Sequence, residues 1–181
     1  MTSKMTFQLY PTYADPKRWR SVKPVQQTKE EWQEIRRNAL ERDRYTCQYC
    51  GHRAEKYQIV HHLDEDPSNN SLENLTVICQ MCNVVMHAGQ GCVIQGVVDL
   101  YRECRFSQAD IIRITRKMRF IERKSDPEIT AYLGLHGPMP FRMSKKYLRP
   151  LFGFVSSRSG VNDDMYENWR RYETARSPGV E

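Results

Sequence analysis

The chain has 181 residues, of which 39% are hydrophobic and 28% are charged, with nine glycines and nine prolines. This composition excludes a collagen-like chain, low-complexity disorder and a coiled coil, and it allows one hydrophobic core of modest size. No segment is apolar over the ~18–20 residues that a membrane helix requires. The first ten residues lack the apolar run of a secretory signal. We therefore expect an intracellular, cytoplasmic protein.

The net charge of +6 is unevenly distributed along the chain. Residues 1–100 carry twelve basic and twelve acidic side chains, whereas residues 101–160 carry thirteen basic and five acidic ones. Residues 161–181 carry three basic and five acidic side chains. A basic block attracts phosphate backbones in a salt-dependent way. It is also typical of a solvated helix surface, which charge alone slightly favours, so other features of the chain must decide between the two.

The first part of the chain predicts an arm, a helix and two strands. Residues 1–27 contain three prolines and few periodic apolar positions, which indicates an irregular arm. A capping box opens a helix over 28–44. Residues 57–63 and 75–79 have the composition of strands, and the polar residues 64–74 predict a loop between them.

The second part of the chain predicts mainly helices. A helix over 81–88 ends at a glycine. The apolar residues of 93–101 indicate a buried helix, and a serine cap opens a basic amphipathic helix over 107–124. Another capping box opens a short helix at 125–135, so the last two helices could form a helix-turn-helix. The tail, 161–181, could form a short helix or lack regular structure.

Four of the six cysteines form two C-x-x-C pairs with 28 residues between them: Cys47, Cys50, Cys79 and Cys82. Each pair presents two thiolates to one ion, and two pairs complete a tetrahedral zinc site. Disulfides are disfavoured in a reducing cytosol, and a thioredoxin-like redox pair lacks its strand–helix context. We therefore predict a structural zinc ion. Cys92 and Cys104 have no such spacing and are interpreted as buried thiols.

Histidines gather around the same frame. His61 and His62 lie at the end of the first predicted strand, and Asn83 and His87 are four residues apart, on one helix face. Histidine serves both as metal ligand and as general base. Adjacent strand residues point to opposite faces, so we expect the strand to end or bulge at the doublet if both histidines serve one site.

Together these residues resemble the HNH endonucleases. The resemblance covers roughly residues 30–90 and rests on the lead-in RDRYTCQYCG, the run IVHHL, the loop asparagines and the final C-x-x-C-N-x-x-x-H. It implies an α+β fold, with a zinc-stapled ββα-metal core over 28–91 preceded by a helix. The basic extension, 92–160, would be mainly helical and would bind DNA or a partner.

The resemblance also implies a role for each site residue. His62 would be the general base that activates water, and His61 would bind the catalytic metal. Asn74 would pin the loop and orient the base. Asn83 stands where the family usually has histidine, and its amide oxygen favours Mg²⁺ or Mn²⁺. His87 would be a further ligand of the catalytic ion.

The implied reaction is metal-assisted hydrolysis of phosphodiester bonds in double-stranded DNA. Contacts to phosphates would come from basic residues of the extension, namely Arg113, Arg116, Lys117, Arg119, Lys145 and Lys146. Two alternatives remain open. The chain could be a zinc-stapled DNA-binding protein with a weak or inactive site, for which Asn83 is the support, or a nuclease subunit that acts only within a larger protein complex.

Overall fold

The computed structural model describes residues 8–16 and 28–159. The helices are α1 (Lys29–Arg42), α2 (Gln80–Met86), α3 (Ala88–Val93), α4 (Gln108–Phe120), α5 (Asp126–Leu133) and α6 (Lys145–Leu148). The strands are β1 (Ile59–His62), β2 (Leu75–Ile78), β3 (Val98–Glu103), β4 (His136–Met139) and β5 (Phe152–Val155). Most of the predicted N-terminal arm and all of the predicted tail lie outside the described residues. No helix in the described ranges is long and apolar enough to cross a bilayer.

The central part is a helix followed by a two-stranded antiparallel sheet and a second helix. Thr28 and Glu31 form the predicted capping box at the start of α1, and α1 packs Ala39 and Leu40 against apolar residues of β1 and β2. The two strands pair in regular register from Ile59 opposite Ile78 to His62 opposite Leu75. The predicted strand–loop–strand–helix order is therefore confirmed, with shorter elements than the sequence suggested.

The extension differs from the prediction, since it contains a three-stranded antiparallel sheet in the order β4-β3-β5. The helix predicted over 93–101 is wrong, because β3 begins at Val98 and pairs with strands that lie 33 or more positions further along. Its first four residues alternate between buried and half-buried positions, as a strand on a packed sheet requires. The fold is α+β, as predicted, and the extension combines its helices with a three-stranded sheet that the sequence did not predict.

The two predicted capped helices of the extension are present. Ser107 caps α4 by accepting from the Asp110 backbone N–H, and a capping box at Ser125 opens α5, which ends at Gly134 with φ +65°. α4 is joined to β5 by both polar atoms of the Gln108 amide, which bond the backbone of Gly153 at 2.7 Å each. The helix-turn-helix interpretation of this pair remains a prediction.

One apolar cluster connects the central part with the extension. It contains the four cysteines of the C-x-x-C pairs, Val85 of α2, Ile112 of α4 and Val155 of β5, all buried. Gly153 of β5 lies against the Val85 side chain, and a Cβ at that position would be 3.4 Å from it. Close packing of this kind makes the extension part of the environment of the cysteines.

Candidate functional site

The four cysteines of the C-x-x-C pairs converge from two local structures. Cys47 and Cys50 lie in a tight turn after α1, closed by a bond from the Gly51 N–H to the Cys47 carbonyl at 2.9 Å. Gly51 has φ +77°, a conformation that favours glycine. Cys79 is the N-cap of α2, and its sulfur accepts from the Cys82 N–H at 3.5 Å. Each pair is thus fixed by its own backbone.

The geometry of these thiols fits a tetrahedral metal site. One ligand atom from each cysteine lies within 4.8 Å of all the others, and every one of the four residues is buried. Cys50 Sγ and Cys79 Sγ are 3.6 Å apart, close to the ~3.8 Å edge of a tetrahedron with Zn–S bonds of ~2.3 Å. The four cysteines are therefore arranged to bind a structural metal, as predicted, and the all-sulfur ligand set favours zinc.

Two arginines predicted to bind DNA belong to the interior instead. Arg116 is 6% exposed, and its guanidinium donates to Cys79 Sγ at 3.2 Å and to Cys50 Sγ at 3.8 Å. The side chain of Arg119 is 10% exposed and pairs with Asp126 at 2.7 Å. The prediction is wrong for both, because α4 turns these positions towards the core and the cysteines, where a phosphate cannot reach them.

His61 and His87 lie together on one side of the hairpin. Their ring centroids are 5.3 Å apart with the planes at 67°. Burial, followed by the charges of His87 and His62, lowers the pKa of His61 to about 4. Burial also lowers the pKa of His87, against a smaller opposing effect of Glu65. Both rings are consequently neutral at pH 7, the form in which imidazole binds a metal ion.

His62 faces different neighbours from His61, although the two are adjacent in β1. Its ring stacks on Trp32 of α1 with centroids 5.8 Å apart and planes at 16°, and its Nε2 lies 2.9 Å from Asn70 Oδ1. An amide oxygen carries no hydrogen, so the imidazole must donate this bond from Nε2. The strand ends at the doublet as expected, but its regular pairing separates the two rings.

Asn74 fastens the loop between the strands. Its side-chain amide donates to Asp64 Oδ1 at 2.9 Å and to the Asn69 carbonyl at 2.8 Å, while its Oδ1 accepts from the Asp64 N–H at 3.1 Å. The Asp66 backbone N–H, followed by the Asn69 and Asn74 side chains, lowers the pKa of Asp64 to about 2. The predicted tether of the loop is present, whereas the direct contact to His62 comes from Asn70.

Asn83 occupies the middle of α2, one turn before His87. The His87 backbone N–H donates to the Asn83 carbonyl at 2.9 Å, which aligns the two side chains on one face of the helix. That face also carries the histidine that lies against His61. Imidazole nitrogens and amide oxygens both bind divalent cations, and the assignment of these three residues to the catalytic ion stays a prediction.

The other predicted DNA contacts are on the surface. The side chains of Arg113 and Lys117 are 55% and 66% exposed on α4, where Arg113 pairs with Asp110. Lys145 and Lys146 are exposed on α6. Lys145 Nζ lies 3.6 Å from a carboxylate oxygen of Glu65, in the loop that follows His62. Basic α6 therefore borders the histidine-bearing hairpin.

Three contacts of the site were not predicted from the sequence. They are the contacts of Trp32 and Asn70 to His62 and the contact of Arg116 to the cysteines. The charge of Arg116 predicted a contact to DNA instead. Its position four residues after Ile112 placed it on the buried face of α4, a signal that the sequence already contained.

Comparison with known proteins agrees with this geometry. Residues 47–89 match the family model described as HNH endonuclease. The chain is also 39% identical over 69 residues to a protein of Legionella pneumophila called Type 4 apparatus protein DotN. That match covers 38% of this chain and 32% of the relative, so the chain spans about a third of the length of the relative it matches. The segment 47–89, with its four-cysteine site, is an HNH domain.

Proposed function

We propose that this protein is a metal-dependent DNA endonuclease of the HNH type, which hydrolyses phosphodiester bonds with His62 as general base. The main support for the proposal is the hydrogen bond that fixes the tautomer of the His62 imidazole. Because Nε2 donates to Asn70, the lone pair of the neutral ring lies on Nδ1. That nitrogen can accept a proton from water, as a general base must.

Binding of the catalytic ion is assigned to His61, Asn83 and His87. Mg²⁺ or Mn²⁺ at this position would supply Lewis-acid stabilisation of the charge that develops on the phosphate and the leaving oxygen. The rings of His61, which is buried, and His87, which is half-buried, lie against one another. Asn74 holds the loop between the strands through its bonds to Asp64 and Asn69.

Contacts to the double-stranded DNA are assigned to the exposed basic residues Arg113, Lys117, Lys145 and Lys146. Lys145 lies beside the hairpin, since it pairs with Glu65 of the loop after His62. Phosphate contacts of this kind position a duplex without reading its sequence. Sequence specificity would then depend on other parts of the extension or on a partner protein. Such an enzyme would act inside the cell, in the cytoplasm, on DNA.

A second candidate function is a binding or structural component of a larger assembly in which the nuclease site is weak or inactive. Two observations favour it. The relative from Legionella pneumophila is named as an apparatus protein rather than as a nuclease. The site also has Asn83 at the position where the family usually has histidine, which reduces the number of nitrogen ligands. A nuclease that is active only within its complex lies between these two candidates.

Cleavage of supercoiled plasmid distinguishes the candidates. The zinc-loaded chain is incubated with Mg²⁺, Mn²⁺ or EDTA beside His62→Ala and a control, His136→Ala, whose histidine is exposed on β4. The endonuclease proposal expects metal-dependent nicking that His62→Ala reduces by about 10²–10⁴-fold and that His136→Ala leaves intact. No cleavage with any metal, together with salt-sensitive DNA binding, would favour the binding component instead.

A further inference from the structure

Arg116 places a positive charge in the apolar cluster around the cysteines. The residue is 6% exposed and lies on the inner face of α4, four positions after the fully buried Ile112. Arginine is rarely buried unless its charge is compensated. Within the described part of the chain, no carboxylate lies within ion-pairing distance of this guanidinium. Its compensation must come from another source.

The compensation comes from sulfur. Nη2 of Arg116 is 3.2 Å from Cys79 Sγ, and Nη1 is 3.8 Å from Cys50 Sγ. The planar guanidinium therefore bridges one thiol from each C-x-x-C pair, and those two sulfurs are themselves 3.6 Å apart. A fork of fixed geometry that meets two acceptors is the arrangement in which arginine binds more strongly than lysine.

The charge of the metal site explains why a cation is needed here. Four thiolates around Zn²⁺ carry a net charge of −2, and this site is enclosed by Met81, Val85, Ile112 and Val155. Burial of an uncompensated charge in such surroundings is costly. The guanidinium reduces the net charge of the buried centre to −1 and donates N–H bonds to two of its sulfurs.

We propose that Arg116 is the built-in counter-ion of the four-cysteine zinc centre, so that retention of zinc depends on the extension being docked against the HNH domain. Arg116 does not bind the ion; it positions and neutralises the thiolates that do. Its own helix is held in place by the Gln108 bonds to Gly153 and by the Arg119 bond to the Val155 carbonyl at 2.8 Å. The three-stranded sheet therefore supports the metal site from outside the motif.

Zinc release tests this proposal without any use of nuclease activity. The full chain is purified as wild type, Arg116→Gln, Arg116→Lys and the control Arg113→Gln, whose arginine lies on the exposed face of the same helix. Zinc content is measured first, and release to a chromogenic chelator is then followed at pH 7. Because a charge-assisted pair of bonds is lost, Arg116→Gln should release zinc at least about tenfold faster than the wild type.

The other variants define the outcome. Arg116→Lys keeps the charge but loses the fork, so its release rate should lie between those of wild type and Arg116→Gln. Arg113→Gln should release zinc like the wild type. Equal release rates for wild type and Arg116→Gln would overturn the proposal, as would a wild-type chain that binds no zinc.

A second measurement covers the case in which Arg116→Gln does not fold. In the cobalt-substituted wild type and Arg116→Lys, the sulfur-to-metal charge-transfer bands report the electron density on the thiolates. Loss of the bidentate N–H bonds in Arg116→Lys should shift these bands, whereas a residue that only fills space would leave them unchanged. An unshifted spectrum combined with wild-type zinc release in Arg116→Lys would contradict the proposal.

Discussion

Replacement of Asn70 by alanine tests how the His62 ring is fixed. The variant removes Asn70 Oδ1, which accepts from His62 Nε2 at 2.9 Å. The stacking of the ring on Trp32 remains, so the ring stays near its position but can exchange its tautomer. A neutral hydrogen bond contributes about 0.5–1.5 kcal/mol. Since ~1.36 kcal/mol is tenfold in rate, the proposed nuclease should slow by about 2- to 13-fold.

The assay is single-turnover nicking of supercoiled plasmid with the protein in excess, so that the observed rate reports the chemical step. Asn70→Asp is the rescue variant, because a carboxylate also accepts from Nε2 and keeps the lone pair on Nδ1. Ser68→Ala is the matched control in the same loop, since the Ser68 hydroxyl donates to Asp66 rather than to the histidine. Cleavage by Asn70→Ala at the wild-type rate, with folding and zinc content unchanged, would refute the assigned tautomer.

Three further predictions concern stability and are measured by urea unfolding of the zinc-loaded chain. Ile112→Ala opens a cavity beside the cysteines and should lower the free energy of unfolding by about 2–5 kcal/mol. The control, Ile121→Ala, changes a side chain that is 41% exposed and should alter the free energy of unfolding by less than about 0.5 kcal/mol. Equal effects of the two variants would contradict the assigned core. Gly91→Ala should lower the free energy of unfolding by about 1–3 kcal/mol, because a Cβ at residue 91 would lie 2.6 Å from Val98 Cγ2. Wild-type stability of this variant would show that β3 is not packed against residue 91. Although burial opposes ionisation of Asp126, hydrogen bonds from Ser157 and Arg119 lower its pKa. The ionised carboxylate therefore stabilises the folded state above pH ~4, and this stabilisation is lost as the pH falls through the folded-state pKa. Asp126→Asn should consequently lose less stability than the wild type on acidification, and parallel losses would argue against this ion pair.

Short-range patterns in the sequence predicted much of the central part and the capped helices of the extension. The two C-x-x-C turns, the capping boxes at Thr28 and Ser125 and the order of strand, loop, strand and helix depend on residues within a few positions of one another. Backbone geometry over such distances is set by local hydrogen bonds and by allowed dihedral angles, which the structure confirms at α1 and α5. Local chemistry thus determined the metal frame.

Only the tertiary structure decided the rest. The apolar segment before Glu103 is a strand because β4 and β5, far along the chain, supply its hydrogen-bonding partners. Arg116 is a partner of the cysteines rather than a surface cation because α4 docks with that face inward. His61 and His62 serve different neighbours because the pleat of a regularly paired strand sends adjacent side chains to opposite faces. These outcomes depend on contacts between segments distant in sequence, and composition or spacing within one segment does not specify them.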